Sequence, residues 1–224
     1  MRIEEVLAEL EGAGSEQTRR TYRRHGITGP AYGVSYAMLG KLQKRIKSDH
    51  PLALALWATG NQDARVLATK VADPGRLTVK EADAWVKESP NATLAEAVAA
   101  LVARSPLAPG RAAVWRDRRD EWTASAGWVV TAHLAMSGTI PVEEGAALLD
   151  QIEREIHGRP NRVRYEMNSA VIAFGSQPAL TASALAAADR IGQVDVDHGE
   201  TSCKTPDAGA YIHRMLARST TRAR

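Results

Sequence analysis

The sequence predicts an all-α fold, and three observations predict it. Alanine and leucine dominate a 44% hydrophobic fraction, while aromatics make up only 5% of the 224 residues; that balance favours helix over sheet. Apolar residues recur at helical spacing, as at Ile3, Val6, Leu7 and Leu10. Connections rich in helix breakers, such as His25-Gly26-Ile27-Thr28-Gly29-Pro30 and Asp73-Pro74-Gly75, cut the chain into pieces of helical length.

Taken in order, residues 1–12 form a short amphipathic helix that Gly12 and Gly14 end. Ser15-Glu16-Gln17 opens a basic segment. After Gly33, the run 34–46 places Leu39, Leu42 and Ile46 on one face and Lys41, Lys44 and Arg45 near another. Asp49 ahead of Pro51 is an acceptable start for a helix over 52–59 carrying Trp57, and another runs from about 62 to 72. Thr78 followed by Glu81 is a capping box for the helix carrying Trp85. Ser89-Pro90-Asn91 precedes a helix over 94–102. Ser105-Pro106-Leu107-Ala108-Pro109-Gly110 is the clearest internal connector, yet too short to require a domain boundary. Helices over 120–135, 141–156, 161–174 and 178–191 follow. The last, over 206–216, takes Thr205 as N-cap and Pro206 at its first position.

Pairs of such helices recur at a spacing near the roughly 40 residues of HEAT or armadillo units. Each pair exposes an apolar face that only its neighbour covers, so the expected architecture is a HEAT-like or armadillo-like α-solenoid of antiparallel helix pairs, one domain over 1–224. A compact helical bundle is the alternative. No segment approaches the roughly 18 apolar residues of a membrane span, and Met1-Arg2-Ile3-Glu4-Glu5 lacks the core of a signal peptide. A single cysteine, Cys203, excludes an internal disulfide and fits a reducing cytoplasm. We expect a cytoplasmic monomer, away from membranes, with no metal or cofactor.

The net charge of +3 hides an uneven distribution. Arg19, Arg20, Arg23, Arg24, Lys41, Lys44, Arg45 and Lys47 crowd the first fifty residues. Arg116, Arg118 and Arg119 form a second cluster, Arg154, Arg159, Arg162 and Arg164 a third, and Arg214, Arg218, Arg222 and Arg224 a fourth. Spaced basic clusters suit phosphate binding, because each neutralised phosphate releases counterions. Solvated helix faces are the plainer reading.

Four segments carry a resemblance: Tyr32-Gly33-Val34-Ser35, Asp63 to Pro74, Ala126-Gly127-Trp128, and Val194 to Ala208. With them the chain resembles, over nearly its whole length, the bacterial DNA alkylation repair family of HEAT-like repeat proteins. The resemblance implies a concave basic face that cradles the backbone of double-stranded DNA, and a DNA glycosylase that removes cationic alkylpurines without placing the base in a pocket. Such chemistry needs a carboxylate to stabilise an oxocarbenium-like sugar and position water. Aromatic faces stabilise the cation and an Arg grips phosphate. The family's Trp and Asp map onto Ala92 and Glu96, its Arg falls near Ala124-Ser125, and its second Trp near Ala170. Glu96 is therefore the one candidate catalytic residue.

Candidate DNA contacts are Arg19, Arg20, Arg23, Arg24, Lys44, Arg45, Trp122, Arg162, Arg164, Tyr165 and Asn168. The other tryptophans read as core, and Asn168 as a partner for a nearby carbonyl if it does not reach DNA. Asp195, Asp197, His198, Glu200, Cys203 and Asp207 crowd one loop that breaks the helical pattern. It lacks CxxC or HxxxH spacing, so metal or thiol chemistry centred on Cys203 is the weaker reading. In the plainer one Glu200 and Asp207 pair with basic side chains. The expected function is DNA binding, with alkylpurine excision if Glu96 acts; the alternative is a non-catalytic DNA- or protein-binding scaffold.

Overall fold

The computed structural model describes the backbone of residues 1–222 and the side chains of residues 1–218. Among the described residues there are thirteen α-helices, one turn of 3-10 helix at Ile156–Gly158, and no strand. The chain parts into two compact units: Met1–Leu107 with His198–Ser202, and Ala108–Asp197 with Cys203–Arg224.

The first unit holds α1 (Ile3–Gly12), α2 (Glu16–Arg24), α3 (Tyr36–Ile46), α4 (His50–Ala58), α5 (Gln62–Val71), α6 (Val79–Lys87) and α7 (Ala92–Val102). Local chemistry fixes where they begin. Ser15, Ser35, Asp49, Asn61, Thr78 and Asn91 each accept a hydrogen bond from a first-turn N–H, and Thr78 with Glu81 completes the expected capping box. The central helix is α5, which packs against α3, α4 and α7 and buries all but its two basic residues, Arg65 and Lys70. Trp57 and Trp85 stack with centroids 4.3 Å apart and rings 4° from parallel. The Trp57 indole donates to Glu88 at 2.8 Å, so both rings serve as core. The basic segment after Ser15 is itself a helix, α2, whose one buried residue is Tyr22.

The second unit holds α8 (Ala108–Arg116), α9 (Glu121–Met136), α10 (Val142–Glu155), α11 (Asn161–Phe174), α12 (Thr181–Ile191) and α13 (Ala208–Arg222). Here α9 packs against both α8 and α11. A Cβ on Gly127 would sit 2.8 Å from the Trp115 carbonyl carbon and against the Arg116 nitrogen, so α8 crosses α9 at a distance only glycine allows. Behind it Trp128, Ile152, Ile156, Val163, Met167, Phe174 and Ile212 form a continuous core.

Besides shifts of two residues at the starts of α3, α4 and α7, three boundaries differ from expectation. The connector ends at Leu107, because Ala108-Pro109-Gly110 forms the first turn of α8, where proline forfeits no intrahelical bond. Pro178 to Leu180 is a turn, so α12 starts at Thr181. Closing helix α13 starts at Ala208 and is longer than expected. Its cap is Asp207, which accepts from the Ala210 N–H at 2.7 Å, in place of Thr205.

Candidate nucleic-acid interface

The site in the first unit is built on one carboxylate. Asp63, in the first turn of α5, is 0% exposed. It accepts from the Tyr22 hydroxyl at 2.7 Å and from the backbone N–H groups of Gly33 and Val34 at 2.9 and 3.0 Å. Burial, then this anionic partner, pushes the Tyr22 phenol far above its ordinary range. Ser15 N–H donates to the Gly33 carbonyl at 2.9 Å, and Gly33 takes φ +80 with no room for a Cβ beside the Ser15 carbonyl. These bonds pin the 25–35 loop and α2 to α5, so a helix with almost no apolar face holds its place.

With α2 fixed, its arginines are ordered by a second carboxylate. Glu16 lies 2.9 Å from Arg19, 3.7 Å from Arg20 and 2.6 Å from Arg23. Hydrogen bonds from Arg23 and then Arg19 hold its carboxyl down at about 2. Arg19 also donates to the Tyr32 carbonyl at 2.8 Å and so braces the loop. Arg20, Arg23 and Arg24 line an open cavity of about 900 Å³, with Gln17 and Thr21 between them and Glu200 on its wall. A guanidinium carries five N–H donors; Glu16 takes part of the forks of Arg20 and Arg23, and Arg24 reaches the Thr21 hydroxyl at 3.4 Å. The remaining donors can meet anions.

A second cavity, about 340 Å³, shares Gln17 and Thr21 with the first and is lined further by Tyr22, His25, Tyr36 and Thr93. Tyr36 opens α3 and is 54% exposed. Partial desolvation, then the charges of Glu96 and Asp63, raise its phenol pKa. The Lys70 ammonium stands 5.8 Å from its ring centroid. Glu96 is half-buried on α7. Asn91 caps that helix, and its amide donates to Gln62 at 3.1 Å. Sequence reasoning passed over Tyr36 because it lies three residues before Leu39, on the stripe that reads as core.

Elsewhere in this unit Lys44 is exposed on α3, whereas Arg45 is engaged by Glu9 at 2.6 and 3.0 Å. That pairing raises the pKa of Arg45 and lowers that of Glu9.

The second unit treats its predicted residues differently. Arg162 is bridged to Glu166 at 2.8 Å and lies 4.1 Å over the Tyr165 ring, and its backbone N–H caps α11 onto Glu121 at 2.6 Å. Arg164 makes a long contact of 3.4 Å with Asn161. Asn168 is 2% exposed and donates to the Pro206 carbonyl at 2.9 Å, which leaves no amide surface for a groove. Asn161, two turns earlier, donates to the Asp197 carbonyl and accepts from its N–H, both at 2.8 Å. Asn161 thus pins the extended segment around Val194 and Val196, whose side chains are buried while Asp195 and Asp197 face out, and Asn168 pins the chain just ahead of α13. Trp122 is half-buried in the first turn of α9.

Of the remaining acidic-loop residues, Cys203 is exposed, and His198 accepts from the Thr201 hydroxyl through its carbonyl at 2.9 Å. Among the described residues no three His, Cys, Asp or Glu side chains are placed to hold a metal ion. None of their helices is long and apolar enough to cross a membrane. Arg224 and the Arg222 side chain lie outside the described residues.

The family model described as DNA alkylation repair enzyme matches residues 6–212. The chain belongs to the DNA alkylation repair family. Two relatives are the uncharacterized protein Lin0241 of Listeria innocua, 29% identical over 96% of this chain and 98% of its own, and Lmo0209 of Listeria monocytogenes, 28% identical over 97% and 98%. A solved structure matches with TM-score 0.90 and 28% identity, covering 98% of this chain and 95% of that one. It is described as a new family of proteins related to the HEAT-like repeat DNA glycosylases with affinity for branched DNA structures. The all-α HEAT-like fold expected from the sequence is the fold observed.

Within this family, the segments that carry the resemblance prove to be structural joints. The N–H groups of Gly33 and Val34 donate to Asp63, and Gly127 seats α8 against α9. At the positions where the family's functional side chains map, Ala124, Ser125 and Ala170 are buried in the second unit, and Ala92 starts α7.

Proposed function

We propose that this chain is a DNA-structure-binding member of the alkylation repair family, gripping the sugar-phosphate backbone of branched DNA along α2. The observation that carries the reading is the open cavity lined by Arg20, Arg23 and Arg24, with Glu16 beside the guanidinium groups of Arg20 and Arg23. Arginine forks held in place lose little entropy on meeting phosphate. The choice of branched DNA follows the similar solved protein, which is described as having affinity for branched DNA structures. Lys44 and Arg164 are the next contacts we assign. The test is a titration of a three-way junction and a linear duplex at several salt concentrations. Junction binding is expected to be tighter and salt-dependent, and Arg20→Ala or Arg23→Ala to lower the salt slope by about 1.

Base excision would rest on Glu96, with Ala92 standing where the resemblance places a tryptophan. Incubation with methylated duplex DNA is expected to release no alkylpurine above background. Release by the wild type that disappears in Glu96→Gln would make the chain a glycosylase instead.

A further inference from the structure

We infer that the 340 Å³ cavity beside α2 receives one unstacked nucleobase of the bound DNA, stacked on Tyr36. The inference rests on the branched-DNA reading and explains how this chain would favour a branch that carries an unpaired base over a continuous duplex. The cavity has the volume of a small-molecule site, and its composition suits a base. Tyr22, Tyr36, Ile27 and Val34 supply apolar and aromatic walls. Thr18, Thr21, Ser35 and Thr93 supply hydroxyls that donate or accept, matching a base edge without demanding one sequence.

Tyr36 is the decisive residue. A large aromatic that is 54% exposed at the mouth of a cavity, with a lysine 5.8 Å from its ring, is a stacking platform open on one face. Helix α2 joins the cavity to the arginine groove. Gln17 and Thr21, one turn apart on α2, line both. A nucleotide whose phosphate meets Arg20 or Arg23 therefore has its base within reach of the neighbouring cavity. In a continuous duplex that base is stacked and paired, and extracting it costs a few kcal/mol. At a branch point an unpaired base is already free, so the cavity discriminates by the energy of unstacking.

The experiment uses a three-way junction with one unpaired 5-iododeoxyuridine at the branch, the same junction fully paired, and a linear duplex. Photocrosslinks are mapped by peptide mass and affinity is read by anisotropy. The wild type is expected to crosslink the unpaired base at Tyr36. Tyr36→Ala is expected to lose that crosslink and about tenfold in affinity for the junction with the unpaired base, with the fully paired junction unaffected. Tyr36→Phe is expected to keep the affinity. A crosslink elsewhere, or equal loss on all three DNAs, overturns the cavity assignment while leaving a junction preference intact. Equal binding of the wild type to all three DNAs overturns the branched-DNA reading and this inference with it.

Discussion

At the scale of single residues, Asp63 joins α2, the 25–35 loop and α5 through three hydrogen bonds to a carboxylate that is 0% exposed. Asp63→Ala strands the backbone N–H groups of Gly33 and Val34, each costing about 1–3 kcal/mol when buried without a partner, while the Tyr22 hydroxyl keeps the Val34 carbonyl at 2.8 Å. Urea unfolding is expected to show a loss of about 3 kcal/mol or more. Glu16 makes a different prediction. Its carboxyl is lowered from 4.5 to about 2, so the stabilisation from its charge is fully present above about pH 4.5 and disappears as pH falls through 2. Carboxyl NMR should place its midpoint near 2, and Arg23→Ala should move it upward. Neither role was legible in the sequence. Asp63 looked like one more residue of a helical run, and Glu16 one acid in a basic segment, because their partners are set by the fold. Tyr36 was hidden by the periodicity that made its neighbours readable.

At the scale of elements, the helices of the first unit were legible because capping side chains mark their starts, and Thr78 with Glu81 is the clearest case. Helix α8 was missed because Pro109 and Gly110 look like breakers, though a first turn tolerates both. The joints between elements left a weaker trace. Gly127 packs its α-carbon against the α8 backbone, and the added methyl of Gly127→Ala has no flexible neighbour to displace. Overpacking of this kind costs about 1–3 kcal/mol, so thermal unfolding of that variant should begin markedly earlier. Asn161 and Asn168 show the same limit on reading a sequence. Asn168 sat in a segment that suggested a DNA contact, yet it holds the Pro206 carbonyl, as Asn161 holds the backbone of Asp197.

At the scale of the whole molecule, the HEAT-like class followed from helical periodicity and from a spacing that sequence displays directly. The acidic segment around residues 194–207, for which active-site chemistry is the weaker reading, divides in the structure. Residues 198–202 group with the first unit, and Asp207 becomes the cap of α13. Asp207 serves as a cap and Glu200 lines the arginine cavity, while Asp195 and Asp197 face out. What the chain does with DNA turns on whether α2 is the binding element. The most direct measurement is the affinity of the intact protein for a three-way junction as a function of salt, compared with an Arg20→Ala/Arg23→Ala double variant. The account predicts that the log–log salt slope falls by about 2, with weaker binding at every salt concentration. An unchanged slope and affinity in the double variant would contradict it.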